Sequence, residues 1–151
     1  MKIYLATDHR GAEIKKDLII SLNNLGYEEI FLPTINNQDG DDYVDFAINV
    51  LNKMNREKDI AILICGNGIG MSIISNKFKG IRCARVVSEI EAIAAKEHNG
   101  ANVLALGADL GVKKIVDIIV TFIKREVPNE ERHQRRVNKI IQYEEGTYNE
   151  L

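Results

Sequence analysis

The stretch DIAILICGNGIGMSIISNK, residues 59–77, decides the fold. Its five consecutive apolar residues, 60–64, are typical of a strand that is buried on both faces of a parallel sheet. Alternate glycines follow, and the residues from Met71 onward predict a helix. Cys65 stands between the strand and the glycines. The pattern therefore places a thiol at the carboxyl end of a buried strand, beside the backbone N–H groups of a glycine loop.

Composition and charge indicate one soluble domain over residues 1–151. A formal net charge of −2 and a pI near 5.9 argue against nucleic acid or an anionic membrane as partner. The two cysteines, Cys65 and Cys83, lack CxxC spacing, which suits a reducing compartment. Because no apolar run has the length of a signal peptide or a membrane span, we expect a cytoplasmic protein.

Strand and helix patterns alternate along the chain. Predicted strands cover residues 2–7, 28–32, 60–64, 81–87 and 102–106; helical patterns lie between them, and a final polar helix covers 130–145. This alternation predicts a doubly wound, Rossmann-like αβα sandwich with a five-stranded parallel sheet in the order 2-1-3-4-5. Ligands then bind beyond strands 1 and 3. We therefore expect the loop that begins with Asp8 and His9 to meet Cys65.

Two loops of the sequence allow alternative interpretations. The polar segment NNQDGDD, residues 36–42, either borders a site or is merely solvated. The glycine loop GNGIGM has Met71 where a dinucleotide fingerprint has its third glycine, and the Gly-Lys-Ser/Thr of a P-loop is missing. Alternate glycines also permit a purely structural turn. We favour a set of backbone donors for an anion or an oxyanion.

A thiol and three histidines are candidates for chemistry. Cys65 alone would more often be a buried structural thiol, but a helix N-terminus favours a thiolate that can act as a base or a nucleophile. Cys83 lies inside a predicted strand and is expected in the core. His9, His98 and His133 fall in loops or at helix ends, where exposed histidines without a role are the alternative. We expect no metal, because their spacing does not match a ligand motif such as HxxxH.

The most cationic segment is ERHQRR, residues 131–136. On a helix, Arg132 and Arg136 lie about 40° apart, so both guanidinium groups can reach one anion. Guanidinium groups match phosphate oxygens, although a solvated face paired with glutamates is the alternative. Taken with the thiol and the glycine loop, the pair favours a phosphorylated small-molecule substrate.

Four segments in this order resemble the ribose-5-phosphate isomerase B family, which is related to the galactose-6-phosphate isomerase subunits. The segments are DHRG (8–11), ICGNGIGMSIISNK (64–77), KEHNGANVLALG (96–107) and RHQRR (132–136). The resemblance spans residues 2–143. It implies a cofactor-free and metal-free isomerase of the pentose phosphate pathway that interconverts ribose 5-phosphate and ribulose 5-phosphate through an enediolate. It also implies a homodimer, or a tetramer, with each site shared between subunits.

The same resemblance implies roles for individual residues. Cys65 matches the base that moves the proton between C1 and C2, His98 matches the residue that assists ring opening, and Asn67 belongs to the loop that holds the enediolate oxygen. The implied substrate contacts are Asp8, His9, Tyr43, Gly66, Gly68, Ile69, Gly70, Met71, Ser72 and Asn99, with Arg132 and Arg136 as the phosphate clamp.

Three positions depart from the family pattern. Asn67 stands where many members have Thr, Val44 where Pro is common, and Asp109 where many members have Arg. An anion in place of a cation after strand 5 bears on the preferred sugar. An isomerase of a six-carbon sugar phosphate, either allose 6-phosphate or galactose 6-phosphate, is therefore an alternative function. A phosphate- or nucleotide-binding module without catalysis is a second alternative.

Overall fold

A five-stranded parallel sheet between two layers of helices forms the centre of the computed structural model, which describes residues 1–149. The strands are β1 (Ile3–Thr7), β2 (Ile30–Phe31), β3 (Ile60–Cys65), β4 (Cys83–Arg85) and β5 (Val103–Gly107). The helices are α1 (His9–Asn24), α2 (Tyr43–Leu51), α3 (Ile69–Ser75), α4 (Glu89–Asn99), α5 (Val112–Ile123) and α6 (Glu131–Glu145). The predicted doubly wound α/β class is confirmed.

The strand order is β2-β1-β3-β5-β4, so the predicted order 2-1-3-4-5 is wrong for the last two strands. β5 pairs with β3 and is buried at every position, whereas β4 lies at the edge and is only partly buried. The reason is charge: a strand that contains Arg85 tolerates an edge, and the wholly apolar and small residues of β5 require the centre. The switch between β1 and β3 is unaffected.

Each face of the sheet supports its own apolar core. On one face, Leu18 of α1 and Phe122 of α5 pack with Ile62 and other strand residues. On the other face, Phe46 of α2 and Met71 of α3 pack with Leu63. The alternating sides of β3 therefore anchor both helix layers, as a strand buried on both faces requires. α6 lies outside these layers and packs on α4.

Two helices begin earlier than the sequence pattern predicts. Asp8 is the N-cap of α1, so His9 to Gly11 form its first turn and not part of a loop. A Cβ atom on Gly11 would lie 2.9 Å from the Cβ atom of Thr7, and glycine therefore lets α1 start directly against β1. α3 likewise begins at Ile69, two residues before Met71.

Asn102, which is buried just before β5, joins three segments at the amino edge of the sheet. Its amide nitrogen donates to the backbone oxygens of Arg56 (3.2 Å) and Gly80 (2.8 Å). Its amide oxygen accepts from the N–H of Arg82 at 2.9 Å. One side chain thus satisfies partly buried backbone groups of three segments that would otherwise lose a partner.

We expect Asn102→Ala to lower the free energy of unfolding by about 2–4 kcal/mol, since it leaves the partly buried backbone groups of Arg56, Gly80 and Arg82 without their partner. Chemical denaturation measures the loss. Asn76→Ala is the matched control, because Asn76 also bridges backbone groups, at Ser72 and Cys83, but is exposed. Water can replace its bonds, so its loss should be about 1 kcal/mol. Equal losses for the two variants would contradict the special role of Asn102.

Candidate active site

Cys65 ends β3 at the carboxyl edge of the sheet and is 5% exposed. Its Sγ atom accepts a hydrogen bond from the N–H of Gly68 at 3.2 Å. Cys65 is in register with Gly107 of β5, where a Cβ atom would lie 3.1 Å from the Cα atom of Asn67. The missing side chain at Gly107 therefore lets the loop after β3 fold back over the strand ends and deliver an N–H group to the sulfur.

The glycine loop between β3 and α3 depends on glycine at two positions. Gly68 has a φ of +79°, and a Cβ atom there would lie 3.0 Å from the carbonyl carbon of Leu106. A Cβ atom on Gly70 would lie 2.5 Å from the ring of Tyr43, so the start of α2 packs directly on the start of α3. Tyr43 is thereby placed at the loop, next to the other predicted site residues.

The N–H groups of this loop differ in their hydrogen bonding. The N–H of Gly68 donates to Cys65, and that of Ile69 donates to the side-chain oxygen of Asn67 at 3.0 Å. The N–H groups of Gly70 and Met71 have no partner among residues 1–149. The side chain of Met71 is fully buried, so only its backbone can reach a ligand. Two donors at the start of α3 are therefore available for a negatively charged oxygen.

Two other polar side chains of the loop have local partners. Asn67 uses its side-chain oxygen to hold the turn into α3, while its backbone oxygen accepts from the Nε atom of Arg85 at 3.1 Å. The hydroxyl of Ser72 donates to the backbone oxygen of Ile69 at 2.9 Å. Gly66 lies beside the guanidinium of Arg10, whose Cζ atom is 3.9 Å from a Cβ built at that glycine. Sequence reasoning missed both arginines, although Arg10 belongs to the quoted DHRG segment.

Asp8 meets the same edge from β1. Its N–H donates to the backbone oxygen of Ile64 at 3.1 Å, and its carboxylate accepts from the N–H groups of Arg10 and Gly11. Burial raises the pKa of Asp8, although these backbone hydrogen bonds oppose the effect. The expected meeting of the ends of strands 1 and 3 is confirmed, since the topology alone places Asp8 next to the residue before Cys65.

His9 is held by Asp41, a residue that sequence reasoning did not identify. One carboxylate oxygen of Asp41 lies 2.8 Å from both the backbone nitrogen and the Nδ1 atom of His9. The hydrogen bond to Asp41 raises the pKa of His9. Burial alone would raise the pKa of Asp41, but hydrogen bonds from His9, from Asn37 and from the Gln38 N–H lower it overall.

The polar loop at residues 36–42 therefore borders the carboxyl edge. Asn37 donates to the backbone oxygen of Thr7 at 2.7 Å and to Asp41 at 3.2 Å, which fastens the loop to the end of β1. Of the two sequence interpretations, this position agrees with the one that places the loop beside the candidate site. Its signal was the length and polarity of the segment.

His98, Asn99, Arg132 and Arg136 lie at the other side of the chain. α4 must run antiparallel to the parallel strands, so its last residues lie near the amino edge, where the chain enters β5. β5 has five residues, so about 16 Å of strand separates the two edges at about 3.3 Å per residue. One chain thus brings together the residues around Cys65 but does not bring His98 or the arginine pair to them.

His98 stacks on His133 of α6, with ring centroids 4.5 Å apart and an interplanar angle of 12°. His133 is buried, so the alternative interpretation of an exposed histidine is wrong for this residue, and neither ring nitrogen has a hydrogen-bond partner within the described part of the chain. Burial lowers the pKa of His133, and the charges of His98 and Arg132 act in the same direction. The ring of His133 thus supports the ring of His98 by stacking on it and not by hydrogen bonding.

The two arginines that the resemblance assigns to phosphate lie on the open face of α6. Arg132 pairs with Glu130 at 2.7 Å, and Arg136 is exposed one turn further along. Asp109 lies in the short turn Ala108–Leu110 after β5 and is exposed. It therefore sits at the carboxyl edge with Cys65, away from the arginine pair of its own chain. Cys83 packs on the core from the edge strand and is only partly buried.

Residues 1–149 contain no cluster of three or more His, Cys, Asp or Glu side chains suited to a metal ion. Within the same residues, no helix has both the length and the apolar character needed to cross a membrane. The features that remain are a thiol at a strand end, free backbone donors and a polar rim. They define a doubly wound α/β protein of the kind that binds small molecules beyond the carboxyl ends of its strands.

The chain belongs to the Ribose/Galactose Isomerase family, whose model matches residues 3–140. A relative from Mycoplasma genitalium, described as a probable ribose-5-phosphate isomerase B, is 39% identical over 148 residues, which are 96% of this chain and 97% of the relative. The resemblance inferred from the four sequence segments is confirmed.

Solved structures agree with this assignment. The type B ribose 5-phosphate isomerase of Leishmania infantum superposes with a TM-score of 0.88 at 34% identity, over 96% of this chain and 97% of that one. Ribose-5-phosphate isomerase B from Mycoplasma genitalium, solved with bound ribulose-5-phosphate, gives a TM-score of 0.87 at 39% identity, over 95% and 96% of the two chains.

We predict that Asp41→Asn lowers the pKa of His9, because the neutral amide no longer stabilises the imidazolium. An NMR titration of the His9 ring should show a pKa above the ordinary value of 6.5 in the wild type and a lower pKa in the variant. The ion pair stabilises the fold above the ordinary pKa of Asp, about 4, and below that of His, about 6.5. This contribution is lost as the pH rises through the raised pKa of His9.

Asp39→Asn is the control for this titration, because it removes a carboxylate from the same loop without a hydrogen bond to His9. The titration of His9 should then match that of the wild type. An unchanged His9 pKa in Asp41→Asn would show that Asp41 does not hold the ring.

Proposed function

We propose that this chain interconverts ribose 5-phosphate and ribulose 5-phosphate, with Cys65 as the base. The observation that carries the proposal is the buried Sγ atom of Cys65, which lies at the end of β3 and accepts the N–H of Gly68. The chain is matched along nearly its whole length by ribose-5-phosphate isomerases B. One of them has ribulose-5-phosphate bound, the product of this reaction.

The proton transfer assigns a step to each group at the carboxyl edge. The thiolate of Cys65 takes the proton from C2 of the open-chain aldose, and the electron pair of that bond forms the C1–C2 double bond of the enediolate. Negative charge develops on O1, where the free N–H groups of Gly70 and Met71 can stabilise it. A proton moves from O2 to O1, and Cys65 returns its proton to C1. This gives the ketose without loss or gain of atoms.

The N–H of Gly68 has a separate task. It donates to the sulfur of Cys65, so one backbone donor faces the proposed base. The loop can therefore stabilise the thiolate before the reaction with one N–H and the enediolate during it with two others. Each donor is fixed by the backbone, so no reorganisation is needed when the charge moves from sulfur to oxygen.

Ring opening and phosphate binding need the residues at the amino side. His98 would assist the opening of the sugar ring, and Arg132 and Arg136 would hold the phosphate with Asn99 nearby. Since one chain keeps these residues away from Cys65, we propose that a second copy supplies them in a homodimer. A two-fold interface buries the same surface of both subunits and thus completes two sites at once.

The exposed apolar side chains support such a dimer. Ile69 and Ile73 on one face of α3 are 48% and 57% exposed, beside the glycine loop. Ile140 and Tyr143 on α6 are 44% and 76% exposed and follow Arg136 by one and two turns. Contact between α3 of one copy and α6 of the other would cover both patches and place the arginine pair at the loop. The two free cysteines agree with action in a reducing compartment such as the cytoplasm. The proposed reaction would belong to the pentose phosphate pathway.

Asp109 favours one alternative substrate class. Its exposed carboxylate at the carboxyl edge would repel a phosphate placed there. A six-carbon sugar phosphate that binds with its phosphate in a shifted position is therefore an alternative substrate. The values of kcat/KM for ribose 5-phosphate, allose 6-phosphate and galactose 6-phosphate decide between the two. A binding module without catalysis would turn over none of them.

We expect Cys65→Ser to lower the turnover of ribose 5-phosphate by about 10²–10⁴-fold, because a hydroxyl is a poor base at neutral pH. Exchange of solvent deuterium into C2 should fall in parallel. Cys83→Ser is the matched control. Burial raises the pKa of Cys83 to about 12, so this thiol stays protonated, and its replacement should leave turnover near the wild-type level. Turnover near the wild-type level in Cys65→Ser would refute the assignment of the base.

The shared site predicts complementation between two inactive variants. Cys65→Ala and His98→Ala should each be inactive alone, whereas unfolding and refolding them together in equal amounts should restore about a quarter of the wild-type activity. Half of the dimers are then mixed, and each mixed dimer has one intact site. An active mixture requires that Cys65 and His98 come from different chains. If activity does not return although mixed dimers form, the sharing of the site is wrong.

A further inference from the structure

A cavity of about 660 Å³ lies at the amino edge of the sheet, opposite the carboxyl edge that carries Cys65. Its walls come from the loop before β3, the turn before β4, the end of α4 and the last turns of α6. The side chains that carry the argument are Arg56, Arg82, Lys96 and Glu144. Such a volume matches the pockets that proteins use for small molecules. A lone inorganic ion would leave most of it unfilled.

Three partly buried cations line this cavity without an ion-pair partner. Within residues 1–149, no carboxylate oxygen lies within 4.0 Å of the charged groups of Arg56, Arg82 or Lys96, unlike those of Lys114 and Arg132. The Nε atom of Arg56 is buried with no hydrogen-bond partner. Buried charges are ordinarily paired, because the desolvation of an unpaired charge is costly. These three cations of the cavity wall thus have no direct carboxylate partner within residues 1–149.

The surroundings of these cations show the same imbalance. The Nε–H of Arg82 donates to the backbone oxygen of Gly100 at 2.9 Å. The ammonium of Lys96 lies 4.9 Å from the centre of the Phe122 ring. Burial lowers the pKa of Lys96, and the positive charge of Arg82 lowers it further. Burial also lowers the pKa of Arg82, opposed by the charge of Glu144. Two partly buried cations therefore repel each other in the wall of the cavity.

Four carboxylates also line the cavity. Glu57 and Glu145 are exposed, whereas Asp59 and Glu144 are engaged by backbone donors. Glu144 accepts the N–H of Gly80 at 3.0 Å, and Asp59 accepts the N–H groups of Lys2 and Asn55. They do not neutralise the guanidinium and ammonium groups directly. Glu144 keeps a free oxygen for a hydroxyl group.

We propose that this cavity binds a phosphorylated small molecule at a site separate from the candidate active site. The phosphate would lie between Lys96 and the arginines, since ammonium and guanidinium groups match phosphate oxygens. The remaining polar part of the ligand would fill the volume toward Glu144. This proposal does not depend on the isomerase reaction or on Cys65.

The cavity does not include the arginine pair assigned to the substrate phosphate. Ile141 and Glu144 of α6 face the cavity, whereas Arg132 and Arg136 do not line it. Arg136 and Ile141 are about 140° apart around the helix axis, at about 100° per residue. The two anion sites would therefore occupy different faces of α6, and variants can remove one without the other.

Phosphate titration of an Arg132→Gln/Arg136→Gln double variant tests the proposal, because this variant lacks the other phosphate site. The probes are inorganic phosphate and glycerol 3-phosphate, followed by NMR through the amide signals of Gly80 and Gly100. We expect saturable shifts of both signals, with tighter binding of glycerol 3-phosphate because it fills more of the cavity. Adding Lys96→Gln should weaken binding about tenfold or more, as loss of a charged hydrogen bond does.

Lys96→Arg should retain binding, and Lys113→Gln should not affect it, since Lys113 is exposed on α5 and pairs with Asp117. Circular dichroism establishes that each variant is folded. If the Lys96→Gln variant does not fold, two other measurements still test the proposal. They are the affinity of Lys96→Arg relative to the parent double variant, and the relative affinity of the parent for the two probes. The proposal is overturned by absent or unsaturable shifts at tens of millimolar phosphate, by equal affinity for the two probes, or by unchanged affinity in folded Lys96→Gln.

Discussion

The site depends on the close approach of the glycine loop to the ends of β3 and β5. Gly68 lies against the backbone of Leu106, and Gly107 leaves room for Asn67, so the loop has no space for a side chain at either contact. This approach aims one N–H at the sulfur of Cys65 and leaves two more free at the start of α3. Packing, and not a motif of charged residues, therefore creates the electrostatic environment of the thiol. Backbone donors fixed by packing are well suited to stabilise charge.

The parallel topology that builds this edge also divides the proposed machinery. Each helix returns the chain to the amino edge, so residues at the end of α4 cannot reach the end of β3 in the same chain. His98 and the arginines of α6 are consequently kept apart from Cys65 by the length of a strand. The proposed two-fold partner would resolve this separation without any change in topology. Oligomerisation would then be a requirement of the chemistry and not only a gain in stability.

Sequence patterns predicted the alternation of strands and helices and the buried strand that ends at Cys65, because burial produces runs and periods of apolar residues. The meeting of this strand end with Asp8 followed from the parallel topology. The patterns did not predict that β5 is central, although Arg85 in β4 was a sign of an edge strand. The partners Asp41 of His9 and His133 of His98 were also missed. Such contacts join residues that are distant in sequence through loop conformation and helix packing, and a pattern within one segment contains no information about them.

The cationic face of α6 affects both the protonation of the stacked histidines and the attraction of an anion. Burial lowers the pKa of His133, and the charge of Arg132 acts in the same direction, so protonation of this ring beside His98 is disfavoured. A neutral ring can stack face to face on His98 without the repulsion that two imidazolium ions would have. The same cationic helix face is attractive to a phosphate dianion. One electrostatic environment thus disfavours protonation of His133 and would favour the substrate anion that we propose to bind next to it.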